Sequence, residues 1–143
     1  MLDLISPDSS ILLLRAATGA FFGISGFNKL FNRGRHESLR ANLVKNKIPF
    51  IRVNEWFVPG VEFVAGSFLV LGLLTQVSAL MLATICLVAT CCEGPGKVKT
   101  WHCINKADKL DTWLYLPEII YGIVLLSLIL GGGGRFSLDK VFQ

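Results

Sequence analysis

Five polar side chains interrupt the long apolar segments of this sequence. They are two carboxylates, an ammonium, an amide and a phenol: Glu62, Glu118, Lys29, Asn28 and Tyr121. Ionisable groups are costly among apolar surroundings and are kept there mostly for function. Together they offer hydrogen-bond donors and acceptors to a carbonyl or a polar headgroup. We therefore regard these five residues as candidates for a ligand pocket, and we assign no catalytic residue.

The cysteines are the second group that could do chemistry. Cys91 and Cys92 are adjacent, and Cys103 directly follows His102. One interpretation pairs Cys103 with Cys91 or Cys92 and lets the pair exchange electrons with a quinone. A metal site made of the same residues and His102 is the other interpretation. The spacing has neither a CxxC motif nor a standard ligand pattern, so we predict no metal site and keep the three cysteines as redox candidates.

Long apolar segments of the sequence carry most of these side chains, and the structure of those segments determines where the side chains lie. The chain has 143 residues, of which 52% are hydrophobic and 17% are charged, whereas soluble domains carry about 25% charged residues. Four runs come near the ~20 residues that span the hydrocarbon core of a bilayer: 11–31, 56–74, 77–92 and 113–130. In lipid such runs must be helical, because every backbone group needs an internal partner. We predict one all-α domain over residues 1–143, a bundle of four transmembrane helices in the lipid bilayer.

Other classes of protein fit this pattern poorly. A soluble helical bundle needs polar faces, which these runs lack. The basic residues are scattered between apolar runs, which argues against nucleic-acid binding. The sequence contains no GxGxxG, P-loop or HExxH motif, so we do not expect a self-contained enzyme.

Basic residues are divided unequally between the two ends of the expected bundle. The first and third connections hold eleven Lys and Arg residues, and the opposite side holds two, Arg135 and Lys140. The positive-inside rule then places both termini outside the cytoplasm of a multi-pass protein of the inner (plasma) membrane. Within the first connection, Leu39, Leu43 and Lys47 follow helical spacing and predict a short interfacial helix.

The candidate pocket residues are expected at one depth. At ~1.5 Å per residue, Glu62 and Glu118 lie about 9 and 8 Å inside the basic boundary, with Asn28 and Lys29 within ~5 Å of it. Tyr121 is one turn beyond Glu118 and can reach the same place. A purely structural role is the alternative, in which Lys29 snorkels to the interface and the glutamates join helices by hydrogen bonds.

Arg15 stands apart from this group, about 24 Å from the basic side. The glycines at 131–134 predict a sharp turn that folds the tail back. We therefore predict a structural ion pair between Arg15 and Asp139, with Gln76 as another neighbour. Small residues at helical spacing, such as Gly19 and Gly23, are typical of close helix packing within a bundle or of a homo-oligomer face.

The chain resembles the DoxX family of small four-helix membrane proteins over nearly its whole length. The similarity is carried by Glu118 and by the motifs LRA (14–16), GFNKL (26–30), KIP (47–49), EFVAG (62–66), LGLLT (71–75) and GRFSLD (134–139). The resemblance implies a four-helix bundle in the plasma membrane of a prokaryote. The glycine run and the cysteine group have no counterpart in the family pattern.

Some proteins of that family are membrane subunits of thiosulfate:quinone oxidoreductases, and others associate with redox-defence enzymes. The resemblance therefore implies an accessory membrane subunit that anchors an oxidoreductase partner and binds a quinone. The alternative is a non-catalytic scaffold, or a bundle that binds a small ligand or a lipid. The sequence leaves both functions open.

Overall fold

The computed structural model describes residues 7–100, 113–134 and 137–138. These residues form five α-helices and no strand, which confirms the all-α expectation. The helices are α1 (Pro7–Phe31), α2 (Arg33–Lys45), α3 (Ile51–Leu71), α4 (Thr75–Thr100) and α5 (Pro117–Gly131).

Among the described residues, two segments are long and apolar enough to cross a membrane: Asp8–Phe31 in α1 and Thr75–Gly96 in α4. The apolar helix Pro117–Gly131 is shorter. Helix α3 has 21 residues, but its first turns contain Arg52, Asn54 and Glu55, which lower its mean hydropathy.

Helices α1 and α3 cross at a close approach made by glycines. A Cβ added at Gly66 would lie 2.5 Å from the Gly23 amide nitrogen, and one added at Gly19 would lie 2.7 Å from the Gly66 carbonyl oxygen. A Cβ at Gly26 would lie 2.5 Å from the amide nitrogen of Phe63. The expected small-residue stripe of α1 thus packs against α3 within the chain, where the absence of side chains lets the two backbones meet.

The core lies where α3, α4 and α5 pack with the middle of α1. Its fully buried leucines are Leu69, Leu82, Leu125 and Leu128. Ala79, also fully buried, leaves room for these larger side chains. Lipid tails are as apolar as the core, so the hydrophobic effect does not hold membrane helices together. Dispersion contacts between interdigitated side chains do so instead.

The turn between α3 and α4 comes directly after Leu71, whereas the apolar runs 56–74 and 77–92 place it at Thr75 and Gln76. Gly72 ends α3 in the left-handed region, with φ 73° and ψ 32°, and Thr75 already begins α4. Glycine adopts this conformation without steric cost. Helix α4 also continues through Pro95 to Thr100, beyond residue 92, where the apolar run ends. A proline near a helix end removes one hydrogen bond without stopping the last turns.

Helix α2 follows α1 after a single residue. The side chain of Asn32 caps α2 by accepting a hydrogen bond from the Gly34 amide. Leu43 is the buried residue of this helix. The helix expected in the first connection is therefore present, and it lies across the end of α1 and α3.

Candidate functional site

A buried ion pair joins α1 to α3 near the basic end of the bundle. The Lys29 ammonium lies 2.7 Å from both carboxylate oxygens of Glu62, and Ser25 Oγ donates to Glu62 Oε2 at 3.4 Å. Glu62 is 4% exposed, whereas the Lys29 side chain is 28% exposed. The neighbouring glycine, Gly26, brings the two helices close enough for this contact. Lys29 and Ser25 thus bind the carboxylate of Glu62, and part of the Lys29 side chain remains accessible.

The ion pair faces a cavity of about 560 Å³ that is bounded by all five helices. Glu62 and Lys29 line it from α3 and α1, and Glu118 and Tyr121 line it from α5. Cys86 lines it from α4 and lies within electrostatic range of both glutamates and of Lys29. The volume is in the range of small-molecule sites in proteins.

The cavity is amphipathic along the helix axes. At the end nearest α2 it is lined by Arg35, Ser38 and Asn42. Phe21, two turns before Lys29 in α1, marks the other end, where its ring stacks on Tyr121 with centroids 4.1 Å apart. A molecule that fills the cavity would therefore place a polar group near α2 and an apolar part about 12 Å deeper in the bundle.

Four of the five expected pocket residues line this cavity: Glu62, Glu118, Lys29 and Tyr121. Asn28 does not, and it lies instead in a separate groove of about 460 Å³ beside Gly23 and Ser67. Successive residues of a helix point about 100° apart, and here Asn28 faces the groove while Lys29 faces the cavity. Glu118 occupies the first turn of α5, because that helix begins at Pro117 and not near Trp113.

Residues 10–93 match the family model described as DoxX. This match covers more than half of the chain and includes Lys29, Glu62 and Cys86. The chain belongs to the DoxX family. Together with the apolar helices α1 and α4, this membership identifies a membrane protein. No curated protein and no solved structure matches the chain.

The structure of this DoxX protein adds cavity residues that the sequence interpretation missed. Ser25 is four residues before Lys29 and therefore on the same face of α1. Arg35, Ser38 and Asn42 follow the i, i+3, i+7 spacing of one helix face, so α2 contributes a wall of the cavity. That spacing was readable in the sequence, but nothing local indicated that α2 folds back over the bundle.

The described cysteines of the DoxX chain are free thiols. Cys86 is buried, Cys92 is half-buried and Cys91 is exposed. Cys86 and Cys92 both line the cavity, whereas Cys103 and His102 lie outside the described residues. In the described part of the chain no three His, Cys, Asp or Glu residues are grouped so that they could hold a metal ion.

At the opposite end of the bundle, Arg15 is enclosed by backbone. It is 1% exposed, and its Nη1 donates to the Gly133 carbonyl at 2.7 Å. A Cβ at Gly72 would lie 2.8 Å from the guanidinium carbon. Ser137 Oγ donates to the Gly72 carbonyl at 2.8 Å. The tail therefore does fold back onto Arg15, and the expected partner, Asp139, lies outside the described residues.

Proposed function

We propose that this DoxX protein binds the polar head of a membrane amphiphile between Glu62 and Glu118, and that the amphiphile is a quinone. The observation that carries the proposal is the Lys29–Glu62 pair, with a buried carboxylate and a partly exposed ammonium, which faces an amphipathic cavity. Apolar residues of the same volume often stabilise a fold at least as well as a buried charge pair does. Its position on a cavity wall therefore favours a role in ligand binding.

The two ends of the cavity suit the two parts of a quinone. Lys29 and Arg35 can donate hydrogen bonds to a ring carbonyl, and the carboxyls of Glu62 and Glu118 can accept them from a quinol hydroxyl. The aromatic pair of Phe21 and Tyr121 gives the isoprenoid tail an apolar wall. In this proposal the protein is an accessory membrane subunit that presents the quinone to an oxidoreductase partner.

A lipid is the second candidate, because a phosphate or hydroxyl headgroup would find the same donors. In that case the protein is a non-catalytic, lipid-binding bundle. The chemistry at the Lys29 end is shared by both ligands, so identification of the bound molecule must separate them.

Extraction of the protein purified from native membranes tests both candidates. Quinone content is measured in the wild-type protein and in the Glu62→Gln, Glu118→Gln and Asn28→Ala variants. We expect Glu62→Gln to lose about tenfold in bound quinone, which corresponds to about 1.4 kcal/mol, and Asn28→Ala to retain it. Asn28→Ala is the matched control, because Asn28 lies in the separate groove.

The outcome decides between the candidates. A phospholipid that Glu62→Gln depletes, with no quinone present, would establish the lipid-binding function. Equal ligand content in all variants would overturn the binding site. An oxidoreductase that copurifies with the wild-type protein would support the accessory role, and its absence after mild cross-linking would refute that role.

We also propose that α1, α3, α4 and α5 all cross the plasma membrane, with α2 on the cytoplasmic face. Support comes from the basic residues, which crowd the α2 end of the bundle. A reporter fused after Gln143 is expected to be active outside the cytoplasm only. Cytoplasmic activity would reverse the orientation.

A further inference from the structure

Phe50 is held in a conformation that is unfavourable for a bulky residue. It precedes α3 with φ 55° and ψ 47°, in the left-handed region, which L-residues other than Gly, Asn and Asp rarely adopt. Its ring is 80% exposed. Contacts of the Phe50 side chain within the protein therefore do not offset the energetic cost of this backbone conformation.

The surrounding turn is fixed by hydrogen bonds at both ends. The Ile48 amide donates to the Leu43 carbonyl at 3.1 Å, and the Asn54 side chain donates to the Pro49 carbonyl at 2.8 Å. Lys47 also has a positive φ, 52°. The outward position of Phe50 is therefore a built feature of the turn.

Exposed apolar side chains continue from Phe50 along the first turns of α3. Val53 and Phe57 are one turn apart on one face of α3, and Trp56 is adjacent. All are more than half exposed. An apolar patch of this kind marks a surface that contacts a partner or a membrane.

Basic residues border the same patch. Residues 33–52 contain six Lys and Arg residues and one acidic residue, Glu37. Arg40 pairs with Glu55 at 3.7 Å. Lys45, Lys47 and Arg52 are exposed and form no ion pair with any residue that the structure describes. Positive charge beside exposed aromatic rings is complementary to the headgroup region of an anionic bilayer.

We propose that this turn, which we call the Phe50 anchor (residues 47–53), binds anionic phospholipids. The Phe50 ring enters the acyl chains just below the headgroups, and Lys47 and Arg52 bind lipid phosphates. Burial of the ring in lipid compensates the strained backbone. The anchor fixes the depth of α2 and of the start of α3. Ile48 of the anchor lines the cavity, whereas the proposed lipid-binding residues Phe50, Lys47 and Arg52 do not.

Native mass spectrometry of the full chain tests the anchor. The protein is exchanged into detergent with equal amounts of phosphatidylglycerol and phosphatidylcholine, and the retained lipids are counted. We expect the wild-type protein to retain phosphatidylglycerol preferentially. Lys47→Gln/Arg52→Gln should reduce that preference at least tenfold, because each basic residue near an anionic surface strengthens binding several-fold. Lys47→Arg/Arg52→Lys keeps both charges and should keep the preference.

A second variant separates lipid binding from folding. Asparagine tolerates the left-handed region and lacks the apolar ring, so Phe50→Asn should retain less phosphatidylglycerol, and its melting temperature in lipid-free detergent should be unchanged or higher. A lowered melting temperature would show that the ring stabilises the fold and would overturn the anchor. Equal retention of the two lipids by the wild-type protein, or capture of an acidic protein without any lipid preference, would also overturn it.

Discussion

The two cations of α1 serve opposite purposes at opposite ends of the molecule. Arg15 is 1% exposed and donates to the backbone carbonyl of Gly133. Lys29, fourteen residues later, binds the carboxylate of Glu62 and borders a cavity of about 560 Å³. Gly72 lets the backbone close around Arg15, whereas the five helices enclose an open volume beside Lys29.

The difference shows that the surroundings of a buried charge, more than the charge itself, indicate its role. A guanidinium has five donors in a planar arrangement and suits carbonyls on a turn. An ammonium beside a carboxylate keeps donors available for another molecule. The Arg15 end is therefore expected to govern stability, and the Lys29 end to govern ligand binding.

The largest effect is expected at Gly72. Gly72→Ala places a Cβ 2.8 Å from the Arg15 guanidinium, at a residue with φ 73°. We expect a loss of about 3 kcal/mol of unfolding free energy, from left-handed strain and displacement of the buried arginine. Thermal unfolding in detergent measures it. The matched control is Gly60→Ala in α3, where a Cβ would meet nothing within 4 Å, and an equal loss in that variant would refute the special role of Gly72.

An intermediate effect is expected for the Lys29–Glu62 pair. Lys29→Gln leaves the buried carboxylate of Glu62 without its cation and should cost about 1–3 kcal/mol. Lys29→Gln/Glu62→Gln removes both charges and should recover most of that stability, with a coupling energy above about 0.5 kcal/mol.

The coupling is obtained from a double-mutant cycle of detergent unfolding. Strict additivity of the two single variants would contradict the ion pair. At the other end, the hydrogen bond from Arg15 to Gly133 is made to a backbone carbonyl, so no side-chain substitution at Gly133 tests it in such a cycle.

The smallest effect is expected at Ser137. Its hydroxyl donates to the Gly72 carbonyl, so Ser137→Ala should cost about 1 kcal/mol and leave ligand content unchanged. Ser127→Ala is the control, because that exposed hydroxyl donates to a carbonyl of its own helix. Loss of ligand in Ser137→Ala would show that the two ends of the bundle are coupled.

The helical class and part of the cavity could be predicted from the sequence, because apolar runs dictate helices and depth follows from residue count. Depth alone does not determine direction around a helix, and this is why Asn28, grouped with Lys29 by depth, lines a different groove. The wall supplied by α2 could not be predicted, since it depends on how α2 folds back after Asn32. The turn at Gly72 was missed because the guanidinium that requires a glycine there comes from another helix.

The contact between Arg15 and Gly133 also constrains how the chain is made. The two residues are 118 positions apart, so the ribosome completes α1 long before it synthesises the carbonyl that binds Arg15. An arginine within a newly inserted helix costs about 2.5–3.5 kcal/mol on insertion scales. Helix α1 therefore reaches its final surroundings only after the segment that contains Gly133 has been synthesised.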